Sequence, residues 1–75
     1  MKSLHQIIFE VLISEIHDAR PIKIKATYDF KSWLVAHDKT CFIKDDSKRG
    51  FYVALNFIPI VVDDTIDNEY YELVY

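Results

Sequence analysis

IKIKATY, residues 22–28, alternates between apolar and polar side chains at every position. The apolar set can face a core while the polar set faces solvent, which is the period of a β-strand buried on one side. The polar set includes Lys23 and Lys25, so the outer face of this strand is basic. The stretch predicts a strand whose apolar face other elements must cover.

A helix is predicted on each side of this strand. Residues 3–17 carry apolar side chains at helical spacing, with Ser3 as the N-cap, and residues 30–37 form a second helix capped by Asp29. The first helix has two apolar stripes, and a small sheet covers only one of them. We expect the other stripe to form the interface of a symmetric homodimer. The residues predicted at that interface are Phe9, Ile13 and Ile16.

The rest of the chain reads as strands and turns. The predicted strands are 40–44, 51–57, 58–62 and 69–75. Pro59 cannot donate to a ladder, so 58–62 is expected at a sheet edge or after a bend. The order is α-β-α-β-β-β-β, which predicts one small α+β domain over residues 1–75. Its sheet is mostly antiparallel, with the N-terminal helix packed on it.

Composition favours a folded, soluble chain. Of the 75 residues, 51% are hydrophobic, which is too apolar for disorder. Cys41 is the only cysteine, so no internal disulfide is expected, and its place in a strand predicts a buried, inert thiol. Glu10 interrupts the first apolar run, and no stretch is long enough to span a bilayer, so we expect no signal peptide, no membrane contact and a cytoplasmic location.

The sequence offers no convincing catalytic constellation. The pairs His17-Asp18 and His37-Asp38 could suggest metal ligands, but each falls at a predicted helix end, where a histidine favours the negative helix terminus. Asp63, Asp64 and Asp67 lack the spacing and the glycine of a calcium loop. Gly50 is the only glycine, which excludes a glycine-rich phosphate loop. We therefore predict no enzyme activity, no metal and no cofactor.

Charge is segregated along the chain. Residues 20–49 carry a net charge of +4, whereas residues 63–75 carry −5 and no base. Unopposed carboxylates beside tyrosines can steer and bind a basic protein surface. The residues predicted to bind that partner are Asp63, Asp64, Asp67, Glu69, Tyr70 and Glu72. The competing interpretation is that these acids keep an aromatic sheet edge soluble.

Strand alternation divides the closing tyrosines between two faces. Tyr71, Leu73 and Tyr75 would share one face. Tyr70, Glu72 and Val74 would share the other, and we expect one tyrosine set to be anchored in the core while the other stays accessible to a partner.

The leading interpretation is a non-catalytic protein-binding module. The alternative is a small nucleic-acid-binding module, because bases interleaved with aromatic residues can bind nucleic acid. The residues that would carry this alternative are Lys23, Lys25, Lys44, Lys48 and Arg49.

The stretch FIPIVVDDTIDNEYYELV, residues 57–74, resembles a pattern in capsid-type and small accessory proteins of tailed bacteriophages. An aromatic residue, an Ile-Pro and a valine-rich strand there meet acidic residues and a closing strand. Those families carry a glycine before the Ile-Pro, where this chain has Phe57. The resemblance covers about a quarter of the chain. It implies a small protein of a phage or mobile element that inhibits a host protein or serves as its adaptor, and it transfers no site residues.

Overall fold

The computed structural model of this protein describes residues 1–46 and 50–75. Two helices and five strands follow one another in the predicted order, which confirms the α+β class. The elements are α1 (Leu4–Asp18), β1 (Lys23–Ala26), α2 (Tyr28–Ala36), β2 (Cys41–Lys44), β3 (Phe51–Leu55), β4 (Ile58–Val62) and β5 (Tyr71–Val74).

The five strands form one open sheet in the order β2-β3-β4-β1-β5. Only β1 and β4 run parallel, with Ile24 beside Ile60, and the other neighbours are antiparallel. The sheet is therefore mostly antiparallel, as predicted. β2 and β5 form its two edges.

Of the two alternatives predicted from Pro59, the bend before the strand is present, since the chain turns at Asn56 and Phe57. β4 is not an edge strand, because it pairs with β3 on one side and β1 on the other. Leu55 and Ile58 close the hairpin, so the next pair, Ala54 and Pro59, is not hydrogen-bonded to one another. Pro59 also precedes the first ladder pair with β1, which starts at Ile60. Pro59 therefore needs no backbone donor for its pairing with β3 or with β1.

Both helices pack on the same face of the sheet. The sheet contributes buried side chains from β1, β3 and β4, and the helices contribute two each. The core consists of Leu12, Ile16, Ile24, Ala26, Phe30, Leu34, Leu55, Ile58 and Ile60. Residues paired across strands share a face, so Lys23, Lys25 and Glu72 lie on the opposite, open face.

Capping hydroxyls set the start of each helix. Ser3 Oγ accepts from the backbone N–H of Gln6 at 3.2 Å, as predicted for α1. The second helix starts earlier than predicted, since Thr27 is its N-cap and Asp29 lies in its first turn. His17 lies in the last turn of α1, and His37 is the C-cap of α2, so both His-Asp pairs do fall at helix ends.

The hairpin between β3 and β4 turns at Asn56 and Phe57, which have φ angles of 54° and 68°. Two consecutive positive φ angles are typical of a type I′ turn, which suits right-twisted strands. The prediction of a strand through residue 57 is therefore wrong. The alternation predicted for residues 51–55 is correct, since Val53 and Leu55 face the helices.

Candidate functional site

The acidic residues predicted to bind a partner divide into two groups in the structure. Asp63 and Asp64 follow β4 directly and take part in the local architecture. Asp64 Oδ1 accepts the backbone N–H of Tyr28 at 2.9 Å. Asp63 accepts from the hydroxyl and the backbone N–H of Thr65, and these bonds lower the pKa of its carboxyl, with smaller help from Lys25 and Lys23. Both carboxylates stabilise the fold around the first turn of α2.

The second group of acids is free to meet a partner. Asp67, Glu69 and Glu72 are exposed, and within residues 1–46 and 50–75 none of them forms an ion pair. Glu72 lies across the strand pair from Lys25 on the open face of the sheet. Lys25 Nζ lies instead 3.8 Å from Asp63 Oδ2. Of the free acids, Asp67 and Glu69 therefore lie in the loop before β5, and Glu72 lies in β5 itself.

Tyr70 is less accessible than predicted. Its ring is half-buried and meets Phe30 edge-on at 5.9 Å between centroids, with His5 at 6.0 Å. Its backbone carbonyl accepts the N–H of Thr27 at 3.0 Å. The ring closes one end of an aromatic cluster between α1, α2 and the start of β5, so only part of Tyr70 is open to a partner.

The predicted dimer stripe on α1 is also misplaced. Ile16 is completely buried, and Phe9 and Ile13 are half-buried against the core. Ile16 therefore offers no surface to a second copy. Phe9, whose ring lies 6.2 Å from that of Trp33, and Ile13 offer only part of theirs. The sequence held a signal for this: the row through residues 9, 12 and 16 stays apolar to the end of α1, whereas the other row reaches Ser14 and Asp18.

The exposed stripe of α1 is Leu4, Ile7 and Val11, whose side chains are 58%, 48% and 49% exposed. These residues line an open groove of about 370 Å³ between α1 and the start of β5. The remaining lining residues are Ile8, Glu15, Asn68, Tyr70 and Tyr71. An apolar surface of this kind on a small chain is suited to a partner.

Tyr71 forms the floor of this groove on the β5 side. Burial, and then hydrogen bonding to Glu15 and the charge of Glu15, together raise the pKa of its hydroxyl to about 12. The hydroxyl therefore stays protonated at neutral pH and is directed towards the Glu15 carboxylate. The groove is apolar along its length and ends at this polar contact.

The predicted basic cluster is not a single surface. Lys23 and Lys25 lie on the open face of β1, whereas Lys44 pairs with Phe51 and so lies on the helix-bearing side. β3 and β4 separate β2 from β1, a distance of roughly 14 Å at the usual strand spacing. Lys48 and Arg49 lie outside the described residues.

The hairpin of β2 and β3 presents aromatic side chains that the sequence analysis did not single out. Phe42 and Phe51 are 65% and 70% exposed and lie on the helix-bearing side, with Lys44 opposite Phe51. They extend past the area that the helices cover. Their alternation with Val53, which is half-buried against the core, made them look like core residues in sequence.

Cys41 is exposed, so the prediction of a buried thiol is wrong: it begins β2, an edge strand. His5 was not singled out in sequence, but its half-buried ring lies 5.7 Å from that of Trp33, and its Nε2 lies 3.1 Å from Asp29 Oδ2.

Among residues 1–46 and 50–75, no three His, Cys, Asp or Glu side chains are grouped closely enough to hold a metal ion. Neither described helix is long and apolar enough to cross a membrane. A second open cavity, of about 320 Å³, lies beside α2. Its lining residues are Tyr28, Lys31, Ser32, Val35, Ala36 and Val62.

Comparisons with protein-family models, with curated proteins and with solved structures found no match to this chain. The features of this chain that indicate a function are the groove beside α1, the free acids and the exposed aromatic residues.

Proposed function

We propose that this chain is a non-catalytic protein-binding module whose partner docks in the groove between α1 and β5. One observation carries the proposal: an exposed apolar groove lies directly beside acids that have no ion-pair partner among the described residues. Apolar area supplies binding free energy, and unopposed carboxylates select a basic partner and speed its approach. Leu4, Ile7 and Val11 supply the area, and Asp67, Glu69 and Glu72 supply the charge.

The partner in this proposal is a protein with a basic surface, met in the cytoplasm. The resemblance of residues 57–74 to phage accessory proteins supports a role as an inhibitor or adaptor that acts on a host protein. A small chain of this kind needs only one docking surface to block or bridge its target. The same proposal assigns it no catalytic step and no cofactor.

Affinity capture with matched variants tests this function. The groove variant, Ile7→Ser with Val11→Ser, replaces two exposed apolar side chains of the groove with polar ones. The control variant, Val35→Ser with Val62→Ser, makes the same change at the cavity beside α2. We expect the groove variant to lose a captured protein that the wild type and the control variant both retain, as identified by mass spectrometry. If the groove variant captures the same proteins as the wild type, the groove is not the docking surface and the proposal fails.

A second test addresses the charge. Neutralising Asp67, Glu69 and Glu72 to Asn or Gln should slow association with the captured partner and flatten its salt dependence. Asp63 and Asp64 are left unchanged because their carboxylates accept backbone hydrogen bonds. Equal association rates at low salt for wild type and variant would show that these acids do not attract the partner and would favour the interpretation that they keep the sheet edge soluble.

Nucleic-acid binding remains the second candidate, and one observation favours it. Phe42, Lys44 and Phe51 present two exposed rings and a cation on one side of the β2–β3 hairpin. Exposed aromatic rings stack on bases, and cations contact phosphates. A gel shift with a single-stranded oligonucleotide tests it: binding should weaken steeply with salt and be lost in Phe42→Ser with Phe51→Ser. No shift at low salt excludes this candidate.

A further inference from the structure

We infer that β5 accepts an added β-strand from the partner, in which apolar and basic residues alternate. This inference rests on the proposed function and specifies the docking mode. Strand addition needs three things: an edge strand with free backbone groups, a pocket for alternate side chains, and a charge pattern for the others. β5 and the groove beside it supply all three.

The backbone of β5 has free groups on its outer side. The carbonyl of Tyr70 accepts from Thr27, and the pairs Lys25–Glu72 and Lys23–Val74 continue the same register. In an antiparallel ladder the residues that bond to a given neighbour alternate along the strand. The N–H and C=O groups of Leu73 and the C=O group of Tyr71 therefore point away from β1, whereas the N–H of Tyr71 donates to Asn68 Oδ1 at 3.4 Å.

The edge lacks three of the features that protect edge strands, namely lysine, proline and a bulge, although natural edges are also kept short or charged. β5 has only four residues and carries Glu72, whose charge disfavours an acidic strand and favours a basic one. Residues 69–75 contain no Lys and no Pro, and β5 pairs with β1 in an uninterrupted register from Tyr71 to Val74. The opposite edge, β2, ends in Lys44. The two edges of the sheet thus differ in how readily they accept a strand.

The groove receives one set of side chains from the added strand. Tyr71 and Leu73 lie on the helix-bearing side of β5, so every second residue of a strand beside them points the same way. An added strand lies about 4.8 Å beyond β5. Its side chains on this side would contact Ile7 and Val11 on α1, next to Tyr71. This set of residues is apolar.

The alternate residues of the added strand lie on the open face. There they would neighbour Glu72, whose other neighbour across the strands is Lys25. Lys25 Nζ is 3.8 Å from Asp63, so Glu72 is left for a partner cation. Asp67 and Glu69 add negative charge at the start of the strand. These residues of the partner are therefore basic.

A second copy of this chain fits the edge less well. If two β5 strands paired about Glu72, the two Glu72 side chains would lie directly opposite each other, which is destabilising. Residues 63–75 carry five acids and no base, so a β5-to-β5 dimer also brings two such segments together. Charge complementarity therefore selects a basic strand over a second copy.

A synthetic peptide tests the inference on the intact chain. The probe is an acetylated, amidated heptapeptide of alternating valine and lysine, and the control replaces each lysine with glutamate. The readout is amide hydrogen exchange of labelled protein by NMR. In the free protein we expect Glu72 and Val74 to be protected and Leu73 to exchange freely, with Tyr71 slowed by its bond to Asn68 Oδ1. The lysine peptide should slow exchange at Leu73 by about tenfold or more, whereas the glutamate peptide should not.

Backbone methylation of the peptide separates strand addition from simple docking. Alternate amides of an added strand face β5, and the others face solvent. Methylating one set should therefore abolish binding and methylating the other should leave it intact. Glu72→Gln should weaken the lysine peptide by about two- to fivefold, the range of a cross-strand charge pair. Ile7→Ser with Val11→Ser should weaken binding of the parent lysine peptide and of the methylated peptide that still binds.

The contrary results are distinct. If both methylated peptides bind as well as the parent peptide, or if protection appears at Cys41–Lys44 instead, strand addition to β5 is wrong. Protection of Leu73 that rises with protein concentration and without peptide would assign the edge to a second copy and also overturn the inference. In any of these cases, loss of the captured protein in the groove variant would still support the proposed function.

Discussion

Asp64, in the loop after β4, accepts a hydrogen bond from the backbone N–H of Tyr28 at 2.9 Å. Tyr28 is the first residue of α2, and its N–H has no partner within the helix. The carboxylate therefore satisfies a helix terminus and places its charge where the helix dipole favours it. A residue that looked like part of a binding surface in sequence thus joins two distant segments of the fold.

Replacing Asp64 should therefore affect stability, whereas replacing Asp67 should not. We expect Asp64→Ala to lower the free energy of unfolding by about 1 kcal/mol, the usual loss for a capping side chain. Asp67→Ala, at an exposed position with no ion pair in the described part of the chain, should change it by less than about 0.5 kcal/mol. Urea unfolding followed by circular dichroism measures both. Equal losses in the two variants would contradict a capping role for Asp64.

The turn of the β3–β4 hairpin should be improved by glycine at Phe57. This residue has φ 68° and a side chain that is 77% exposed, so it is strained without gaining much burial. We expect Phe57→Gly to raise the free energy of unfolding by roughly 0.5–1 kcal/mol, because the relief of strain exceeds the entropy cost of glycine. Asn56→Gly is the control and should gain less, since asparagine tolerates positive φ. A loss of stability in Phe57→Gly would show that the ring makes stabilising contacts.

Stability should fall at alkaline pH through Tyr71. Its pKa is raised from 10.0 in a model compound to about 12 in the folded chain. Between these values the unfolded state loses a proton that the folded state keeps, so the free energy of unfolding declines as pH rises. The stabilisation is complete below about pH 10 and is lost as the pH passes about 12. Urea unfolding at about pH 9 and about pH 11.5 should show a steeper decline for wild type than for Tyr71→Phe.

The control for this measurement is Tyr28→Phe, which removes an exposed tyrosine outside the groove. It should keep the wild-type decline between the two pH values. If Tyr71→Phe and Tyr28→Phe behave alike, then the alkaline decline has another source.

The thiol of Cys41 should react in the folded state. Because Cys41 is exposed at the start of an edge strand, a thiol reagent should label the native chain at a rate close to that in urea. Cys41→Ser should change the free energy of unfolding by less than about 0.5 kcal/mol, as for most surface substitutions. If the thiol is labelled only after unfolding, Cys41 is buried, as the sequence predicted, and the exposed position is wrong.

Self-association remains a prediction, now placed on a different surface. Ile16 is buried, and the β2–β3 hairpin at one edge of the sheet presents the exposed aromatic side chains of Phe42 and Phe51. Light scattering at micromolar concentration should give about twice the chain mass of 8.9 kDa. Phe42→Ser with Phe51→Ser should give a monomer, and Ile7→Ser with Val11→Ser should leave the dimer intact. A wild-type monomer at that concentration would contradict the prediction.

Local pattern determined the elements of this protein and their order. The alternation in residues 22–28 and the helical spacing in residues 3–17 depend only on neighbours along the chain, and both elements were predicted correctly in type. Ser3 was recognised as a cap for the same reason, since it bonds to Gln6 three residues away. The α+β class follows from these local choices, because each predicted face must be buried against another element.

Tertiary structure decided which surfaces are free. Both rows of α1 are apolar over most of their length, and packing against the sheet buries Ile16 and leaves Val11 exposed. Asp64 caps a helix that begins 36 residues earlier in the chain, and no local pattern records such a contact. The strand order likewise puts two strands between Lys44 and Lys25. Each outcome depends on the pairing of distant segments, which is fixed by the total burial and hydrogen bonding of the whole chain rather than by the residues of any one element.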